Sequence, residues 1–346
     1  MKSNSGPRRP GRTSDRSTVT SRHRGGSLRR TARSLGILSG VMVASYSFTS
    51  STTAGAPAVE PTLEPILADM PPDALRPDVP DWAHERVDYW IGRFTSDQRP
   101  TFEVFLTQEG AFGQLIRERL RERGMPPRLL YLAMIESGLR PAAVSHVSAV
   151  GVWQFMGPTA QAYGLRVDDW VDERRDPVSA TDAALDYLEW LHDRYGSWYL
   201  AVSAYNAGPS RVDRALRRAR IGIPATDEAY WQIRPFLPFE TREYVPRLLA
   251  ASALAEEPMK YGFADVEGHR PYEFDSVWVP GGTPMVRVAR SLGEEYRVIW
   301  ALNPHLVRGM TPPGEPYPLR VPVGTAFQVV ASLGRLPRQA LHAADD

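Results

Sequence analysis

The chain has 346 residues, a formal net charge of +1 and no cysteine. Residues 1–56 hold ten basic residues and one acid, Asp15, whereas the remaining 290 residues carry 31 basic and 39 acidic side chains. The absence of cysteine excludes thiol catalysis, disulfides and cysteine-ligated zinc. An acidic body without a basic stripe argues against a nucleic-acid partner. No apolar run reaches the roughly 18 residues of a membrane-spanning helix, which excludes a polytopic membrane protein.

The N-terminal region has the pattern of an export signal. Residues 1–33 are rich in Arg and Ser, an apolar stretch follows at residues 35–48, and small residues occupy positions 54–56. This order is typical of a secretory signal peptide. We therefore expect residues 1–56 to be a signal peptide cleaved after Ala56, and the mature protein, with a charge of −8, to be exported. The alternative is a cytosolic protein with a basic tail, and an uncleaved signal would hold the protein at a membrane.

Three regions follow the signal. Residues 57–80 contain seven prolines and are predicted to be a linker. Residues 81–257 place apolar residues three or four apart and are predicted to form an all-helical domain, with helices within 87–94, 112–120, 127–136 and 182–195. Residues 272–325 are predicted to form a small β-α-α-β module, with strands at 275–280 and 317–322 and helices at 284–292 and 294–302. Residues 326–346 are expected to be a tail, and the predicted fold class is mainly α.

Glu136 is the leading candidate for a catalytic residue. It ends a nearly all-apolar helix that begins at Pro126 and Pro127, where missing amides cost least. Apolar surroundings raise the pKa of a carboxyl group, so that it keeps a proton near neutral pH and can act as a general acid. The next acid along the chain is Asp168, so no carboxylate close in sequence competes for the role. The alternative, from spacing alone, is an ordinary glutamate at a helix end.

Two later clusters combine polar tips with apolar surface. Gln154 stands among aromatic residues and Met156, and such a setting suits a sugar, which presents hydroxyl groups at its rim and C–H groups on its faces. Tyr205 could hydrogen-bond the carboxyl group of Glu136, and Asn206 could order the turn that follows. Taken singly, the cluster around Gln154 is more often part of a core, and the alternative for Tyr205 and Asn206 is a plain helix C-terminus.

Taken together, three separated blocks resemble lytic transglycosylases of the soluble lytic transglycosylase superfamily, and in particular the membrane-bound lytic transglycosylase D group. The blocks are IESGLRPAAVSHVSAVGVWQFM at 135–156, AYNAG at 204–208 and ETREYV at 240–245, and they occur in the family's order. The resemblance runs from about residue 87 through the C-terminal module, and it implies a lysozyme-like fold for the helical domain.

The C-terminal module resembles a divergent LysM-type unit, a family that binds glycans containing N-acetylglucosamine. The matching landmarks are GGT at 281–283 and LNP at 302–304, although the usual Asp before the Thr is Gly282. The alternative is a small structural cap on the helical domain, because short modules of this kind pack against larger neighbours as readily as they bind ligands.

The resemblance implies a role for each matching residue. Glu136 falls on the family's single catalytic glutamate, and Tyr205 on the tyrosine that orients its carboxyl group. The remaining residues that match the substrate-binding set are Ser145, Gln154, Met156, Asn206 and Glu240, with Tyr244 nearby. Two departures affect turn geometry, because Ser148 and Ser210 stand where the family usually has glycine.

The implied reaction is cleavage of the β-1,4 bond between N-acetylmuramic acid and N-acetylglucosamine in peptidoglycan. Glu136 acts as acid and then as base, and the product ends in a 1,6-anhydro ring. No metal or organic cofactor is implied, and the histidines lack a metal-ligand spacing. We expect a monomer that acts on peptidoglycan glycan strands in the bacterial periplasm or cell envelope. The alternatives are a goose-lysozyme-like muramidase, which delivers water to C1, and a non-catalytic peptidoglycan-binding protein.

Overall fold

A computed structural model of the chain describes residues 84–333. The expected signal peptide and linker, and the last part of the expected tail, lie outside these residues. The helical part comprises α1 (Glu85–Thr95), α2 (Arg99–Glu122), α3 (Leu130–Ser137), α4 (Gly157–Ala162), α5 (Pro177–Tyr195), α6 (Trp198–Ala207), α7 (Pro209–Ala219), α8 (Glu228–Ile233) and α9 (Phe239–Glu256), with short 3-10 turns at Pro127–Leu129, Glu173–Arg175 and Arg234–Phe236.

Helix α3 lies within the helical core. Its residues 130–135 are all buried, and it packs against α2 and α9. Helix α9 also packs against α1 and α6. A helix surrounded in this way needs apolar side chains on every face, which explains the lack of a polar face in its sequence. The predicted helix 127–136 is divided in the structure, because Pro127 begins a 3-10 turn and the α-helix proper starts at Leu130.

Side chains near the ends of α5 and α6 fix where these helices begin. Asp176 accepts a hydrogen bond from the amide of Val178 at 2.9 Å, and Pro177 occupies the first helical position of α5. The helix ends at Gly196, whose φ of 69° is in the left-handed region. Ser197 Oγ then accepts the amide of Leu200 at 3.1 Å and starts α6. Helix α6 therefore follows α5 after a short turn, and the two pack against each other.

The C-terminal part has the predicted order of elements. It comprises β1 (Asp275–Val279), α10 (Met285–Leu292), α11 (Tyr296–Leu302), β2 (Tyr317–Val321) and α12 (Ala326–Leu333). The two strands pair antiparallel, with Val277 opposite Leu319. Helix α12 lies where the sequence analysis placed only a tail, and its Val329 is fully buried in the module's own core. Within residues 84–333, no helix combines the length and the apolar character required to cross a bilayer.

The module packs directly on the helical domain. Val171, from the helical domain, belongs to the module's core, and the amide of Asp172 donates to the carbonyl of His305 at 2.9 Å. Both carboxylate oxygens of Asp176 accept hydrogen bonds of 2.8 Å from the Arg320 guanidinium. His305 lies beside Asp176. Burial lowers the pKa of His305 to about 4, so its imidazole is neutral near pH 7. The buried ion pair and the shared core make the module an integral part of the folded body.

Candidate active site

Helix α3 ends in a way that places Glu136 at the edge of the core. Gly138 follows the helix in the left-handed region, with a φ of 65°. A Cβ atom there would lie 2.7 Å from the ring of Phe105, so a glycine is required for both reasons. Ile135 and Ser137 are buried, whereas Glu136 between them is partly exposed. The last turn of an otherwise buried helix thus places one carboxyl group at the edge of the core.

The carboxyl group of Glu136 keeps its proton unusually well. The hydroxyl of Tyr244 donates a hydrogen bond to Glu136 Oε1. Burial raises the pKa of Glu136 to about 7, against the opposing effects of the Tyr244 hydrogen bond and the charge of Arg247. The negative charge of Glu240 adds to the increase. A carboxyl group with a pKa of this size can donate a proton at neutral pH and accept one in the same cycle.

The orienting tyrosine differs from the one expected. Tyr205 was predicted to hydrogen-bond the carboxyl group of Glu136, but its hydroxyl donates to the carbonyl of Trp153 at 2.8 Å. Tyr244 makes the bond to Glu136 instead. It lies on α9, and this helix packs against α3, which carries Glu136. Burial raises the pKa of Tyr205, and the charge of Glu136 adds to the increase, so Tyr205 still lies close to the site. The sequence placed Tyr244 near the site but did not show this contact.

The loop after α3 carries Gln154 in a strained conformation. Gln154 has a φ of 51°, and its side-chain amide donates to the carbonyl of Gly151 at 2.8 Å. Gly151 has a φ of 85° and lies against the backbone of Arg174. Ser137 Oγ donates to the carbonyl of Val152 at 2.7 Å, which ties the loop to the helix of Glu136. The loop is therefore held from two sides, with the Gln154 side chain partly exposed.

The aromatic residues beside Gln154 do not form the sugar surface that was expected of them. Trp153 is fully buried and donates through Nε1 to Thr181 Oγ1 at 2.9 Å, and Phe155 is buried as well. Met156 is partly exposed and precedes α4. Buried and partly exposed residues alternate along residues 153–156. Of this cluster, Gln154 and Met156 therefore remain available to a ligand.

The other predicted residues are also placed by the structure. Ser145 is partly exposed, and its hydroxyl accepts the amide of Ala149 at 2.9 Å. Asn206 lies in the last turn of α6, and its Oδ1 accepts a hydrogen bond of 2.7 Å from Thr241, so it joins α6 to α9. Glu240 is exposed in the first turn of α9. Ser148, at one of the two departures from the family pattern, adopts a φ of 64° that is otherwise typical of glycine.

Two features near the site were missed by sequence reasoning. Tyr187 lies 5.4 Å from Tyr205 and stacks on Trp190 with a centroid separation of 6.1 Å. Trp190 is 46% exposed, so the row of rings leads from the site to an open indole face. The helical spacing of Tyr187 and Trp190 on α5 is the signal that could have indicated this row.

The second missed feature is the buried carboxylate of Glu243. It accepts hydrogen bonds of 2.6 Å from Arg86, 2.7 Å from Arg234 and 2.9 Å from Trp90 Nε1. Burial opposes the charge, yet these donors hold the pKa of Glu243 below its ordinary value. Glu243 therefore stays ionised and fastens α1 to α9, next to the residue that hydrogen-bonds Glu136.

The landmarks of the C-terminal module serve its own fold. Thr283 is buried, its amide bonds to Thr311 Oγ1 at 2.9 Å, and its hydroxyl bonds to the carbonyl of Pro280 at 2.6 Å. Asn303 is fully buried and bonds through its side chain to the backbone of Ile299 and Arg320. These polar groups already have internal partners. In the described part of the chain, no cluster of three or more His, Asp or Glu side chains could hold a metal ion.

Comparisons with known proteins find similarity to transglycosylases. Residues 114–224 match the family model described as Transglycosylase SLT domain. The chain is 32% identical over 191 residues to "Membrane-bound lytic murein transglycosylase D" of Escherichia coli strain K12, which covers 55% of this chain and 41% of that protein. Over 83 residues it is 39% identical to "Peptidoglycan transglycosylase gp16" of Escherichia phage T7, covering 23% of this chain and 6% of that protein.

The solved structures that are similar are more distant. The crystal structure of the 70 kDa soluble lytic transglycosylase SLT70 from Escherichia coli aligns with a TM-score of 0.38 and 23% identity, over 50% of this chain and 30% of that chain. The chain spans less than half the length of the curated relatives that it matches.

Proposed function

We propose that this protein is a lytic transglycosylase that cleaves the glycan strands of peptidoglycan, a proposal supported by the match of residues 114–224 to the transglycosylase SLT domain. The observation that carries the proposal is the carboxyl group of Glu136. It lies in the last turn of a buried helix and accepts a hydrogen bond from the Tyr244 hydroxyl, and burial raises its pKa to about 7. The names of the relatives, which refer to murein and peptidoglycan transglycosylases, support the same substrate class.

In the proposed reaction, protonated Glu136 donates its proton to the oxygen between N-acetylmuramic acid and N-acetylglucosamine. The C1–O bond breaks, N-acetylglucosamine leaves with a free 4-hydroxyl group, and the 2-acetamido carbonyl of the muramoyl residue stabilises the positive charge at C1. The Glu136 carboxylate then takes the proton of the C6 hydroxyl of the same sugar, and O6 bonds to C1. Glu136 is protonated again, a 1,6-anhydro ring has formed, and water is not consumed.

The electrostatics of the site fit this use of one carboxyl group. A pKa of about 7 divides Glu136 between its acid and base forms near neutral pH. Among the described residues, Glu240 is the other carboxylate that acts on the pKa of Glu136, and its negative charge raises that pKa. Gln154 and Met156 offer an amide and a thioether to the sugar beside the acid. A lysozyme-like helical fold and a position in the cell envelope complete the proposal, together with export by the N-terminal signal.

The decisive experiment is digestion of purified peptidoglycan by the wild type and by Glu136→Gln, followed by mass spectrometry of the products. We expect the wild type to release muropeptides with anhydro ends, each lighter by one water than the hydrolytic product, and Glu136→Gln to release none. Glu118→Gln, on the exposed face of α2, is the matched control and should retain activity. Reducing muramic acid ends would instead establish a muramidase, and undiminished turnover by Glu136→Gln would remove the catalytic assignment.

The role of the C-terminal module is a separate proposal. Its LysM-like landmarks are turned inward, and its Arg320 is committed to Asp176 of the helical domain. We therefore propose that the module acts as a structural cap on the helical domain in this chain. A variant that breaks this contact should lose stability of the whole folded body, which a melting experiment measures.

A further inference from the structure

Helix α9 presents an arginine to the helix that carries Glu136. Tyr244 and Arg247 lie three residues apart on α9 and so share a face. The Nη2 of Arg247 lies 3.4 Å from the carbonyl oxygen of Ile135, the residue before Glu136. This carbonyl belongs to the last turn of α3, where the intrahelical partners run out. A guanidinium at this end satisfies the carbonyl and interacts favourably with the helix dipole.

Arg247 differs from its neighbours in having no carboxylate partner. Arg86 and Arg234 both form ion pairs with Glu243, at 2.6 and 2.7 Å. Arg247 makes no ion pair with any of residues 84–333, and its Nε is buried without a hydrogen-bond partner there. Its guanidinium lies 5.1 Å from the centroid of the Trp90 ring. A partly buried cation in this position gains most when a negative charge forms close by.

Glu136 is the group on which such a negative charge forms during the proposed reaction. The groups that act on it come from α9, namely the Tyr244 hydroxyl, the Arg247 guanidinium and the exposed Glu240 carboxylate. From α6, Tyr205 lies close but directs its hydroxyl to the Trp153 carbonyl. Within the described residues, Arg247 is therefore the cation that favours ionised Glu136.

We infer that Arg247 is a positioning residue of the site, which holds the C-terminal end of the Glu136 helix and supplies the positive charge that faces the carboxylate after proton donation. The inference rests on the proposed function and deepens it, because it assigns the counter-charge for the second half of the reaction. Arg247 acts through Glu136 and need not touch the sugar.

The test compares Arg247→Gln and Arg247→Lys with the wild type in the full chain, using the pH dependence of kcat/KM on purified peptidoglycan. Only protonated Glu136 can start the reaction, so activity falls as pH rises through its pKa. Arg247→Gln keeps a donor for the Ile135 carbonyl but removes the charge. We expect it to move the midpoint of this fall upward by about one pH unit, whereas Arg247→Lys leaves the midpoint near that of the wild type.

A purely structural role gives a different result. Arg211 provides the matched control, because its Nη1 donates to the carbonyl of Ala207 at 2.9 Å and so caps the end of α6 in the same manner. Arg211→Gln should leave the midpoint unchanged. If Arg247→Gln lowers activity equally at all pH values without moving the midpoint, the inference is wrong. The Glu136 carboxyl titration, followed by carbon NMR, reads the same shift without turnover, so the inference and the proposed function can fail separately.

Discussion

Breaking the buried pair between Arg320 and Asp176 tests whether the module is an integral part of the fold. Their side chains are 14% and 5% exposed, and the two hydrogen bonds are both 2.8 Å long. Arg320→Met leaves the Asp176 carboxylate buried without its cation, and removal of one partner of a buried pair costs about 3–5 kcal/mol. For a folded body of this size, that corresponds to a lower melting temperature by an amount on the order of 10 °C.

The pH dependence of this loss has a defined sign. Burial alone would raise the pKa of Asp176, but Arg320 brings it below its ordinary value of 3.8. The pair therefore contributes its full stability above the pKa of the unfolded chain, and the contribution disappears as pH falls through the lower folded value. The difference in stability between wild type and Arg320→Met should be constant near neutral pH and should shrink in acid.

Thermal denaturation followed by circular dichroism measures both effects, with a matched surface pair as control. Arg308 and Asp169 also join the module to the helical domain, at 3.5 Å, but they are 50% and 89% exposed. Arg308→Met should cost less than about 1 kcal/mol. The double variant Asp176→Asn with Arg320→Met should recover part of the loss. If Arg320→Met costs no more than Arg308→Met, or if its effect is the same in acid, the reasoning about the buried pair is refuted.

Three further predictions concern the site. Tyr244→Phe removes the hydrogen bond that favours ionised Glu136, so the alkaline midpoint of the pH–activity profile should move upward; an unmoved midpoint would contradict this contact. Gly151→Ala should destabilise the fold by more than about 3 kcal/mol in denaturant titrations, because its φ is 85° and a Cβ would lie 1.6 Å from a backbone oxygen, whereas Gly164→Ala, with a φ of 80° but open space, should cost about 1–2 kcal/mol. Trp190→Ala should raise KM for glycan strands about threefold to tenfold at constant kcat, as expected for a lost stacking contact, and an unchanged KM would show that the indole does not meet the substrate.

Local sequence signals predicted the position of the candidate acid well. The prolines before α3, its apolar run and the glycine after it fix a short buried helix with Glu136 in the last turn. The strands of the module were also found at their observed positions, because alternating apolar residues between turns leave few other arrangements. Helix α12 was missed because Val329 is its one buried residue, while Phe327 and Val330 are exposed.

Contacts between residues that are far apart in the sequence could not be predicted from local patterns. The hydrogen bond from Tyr244 to Glu136 joins positions 108 residues apart, and the bonds from Arg320 to Asp176 join positions 144 apart. No local pattern identifies Tyr244 rather than Tyr205 as the donor, since both tyrosines lie close to the acid. The choice depends on how α9 packs against α3 and α6, which local spacing does not encode.

The part of the chain that carries the candidate site is longer than the segment that matches the family model. The family match ends at residue 224, before α9 begins. A fragment cut at 114–224 would keep Glu136 but lose Tyr244 and Arg247, and with α1 it would also lose Arg86, the partner of Glu243. A fragment whose boundaries were chosen from similarity alone would therefore contain Glu136 without the groups that set its pKa. The stretch from the start of α1 at Glu85 to the end of α9 at Glu256 contains Glu136, these tuning groups and the Glu243 cluster.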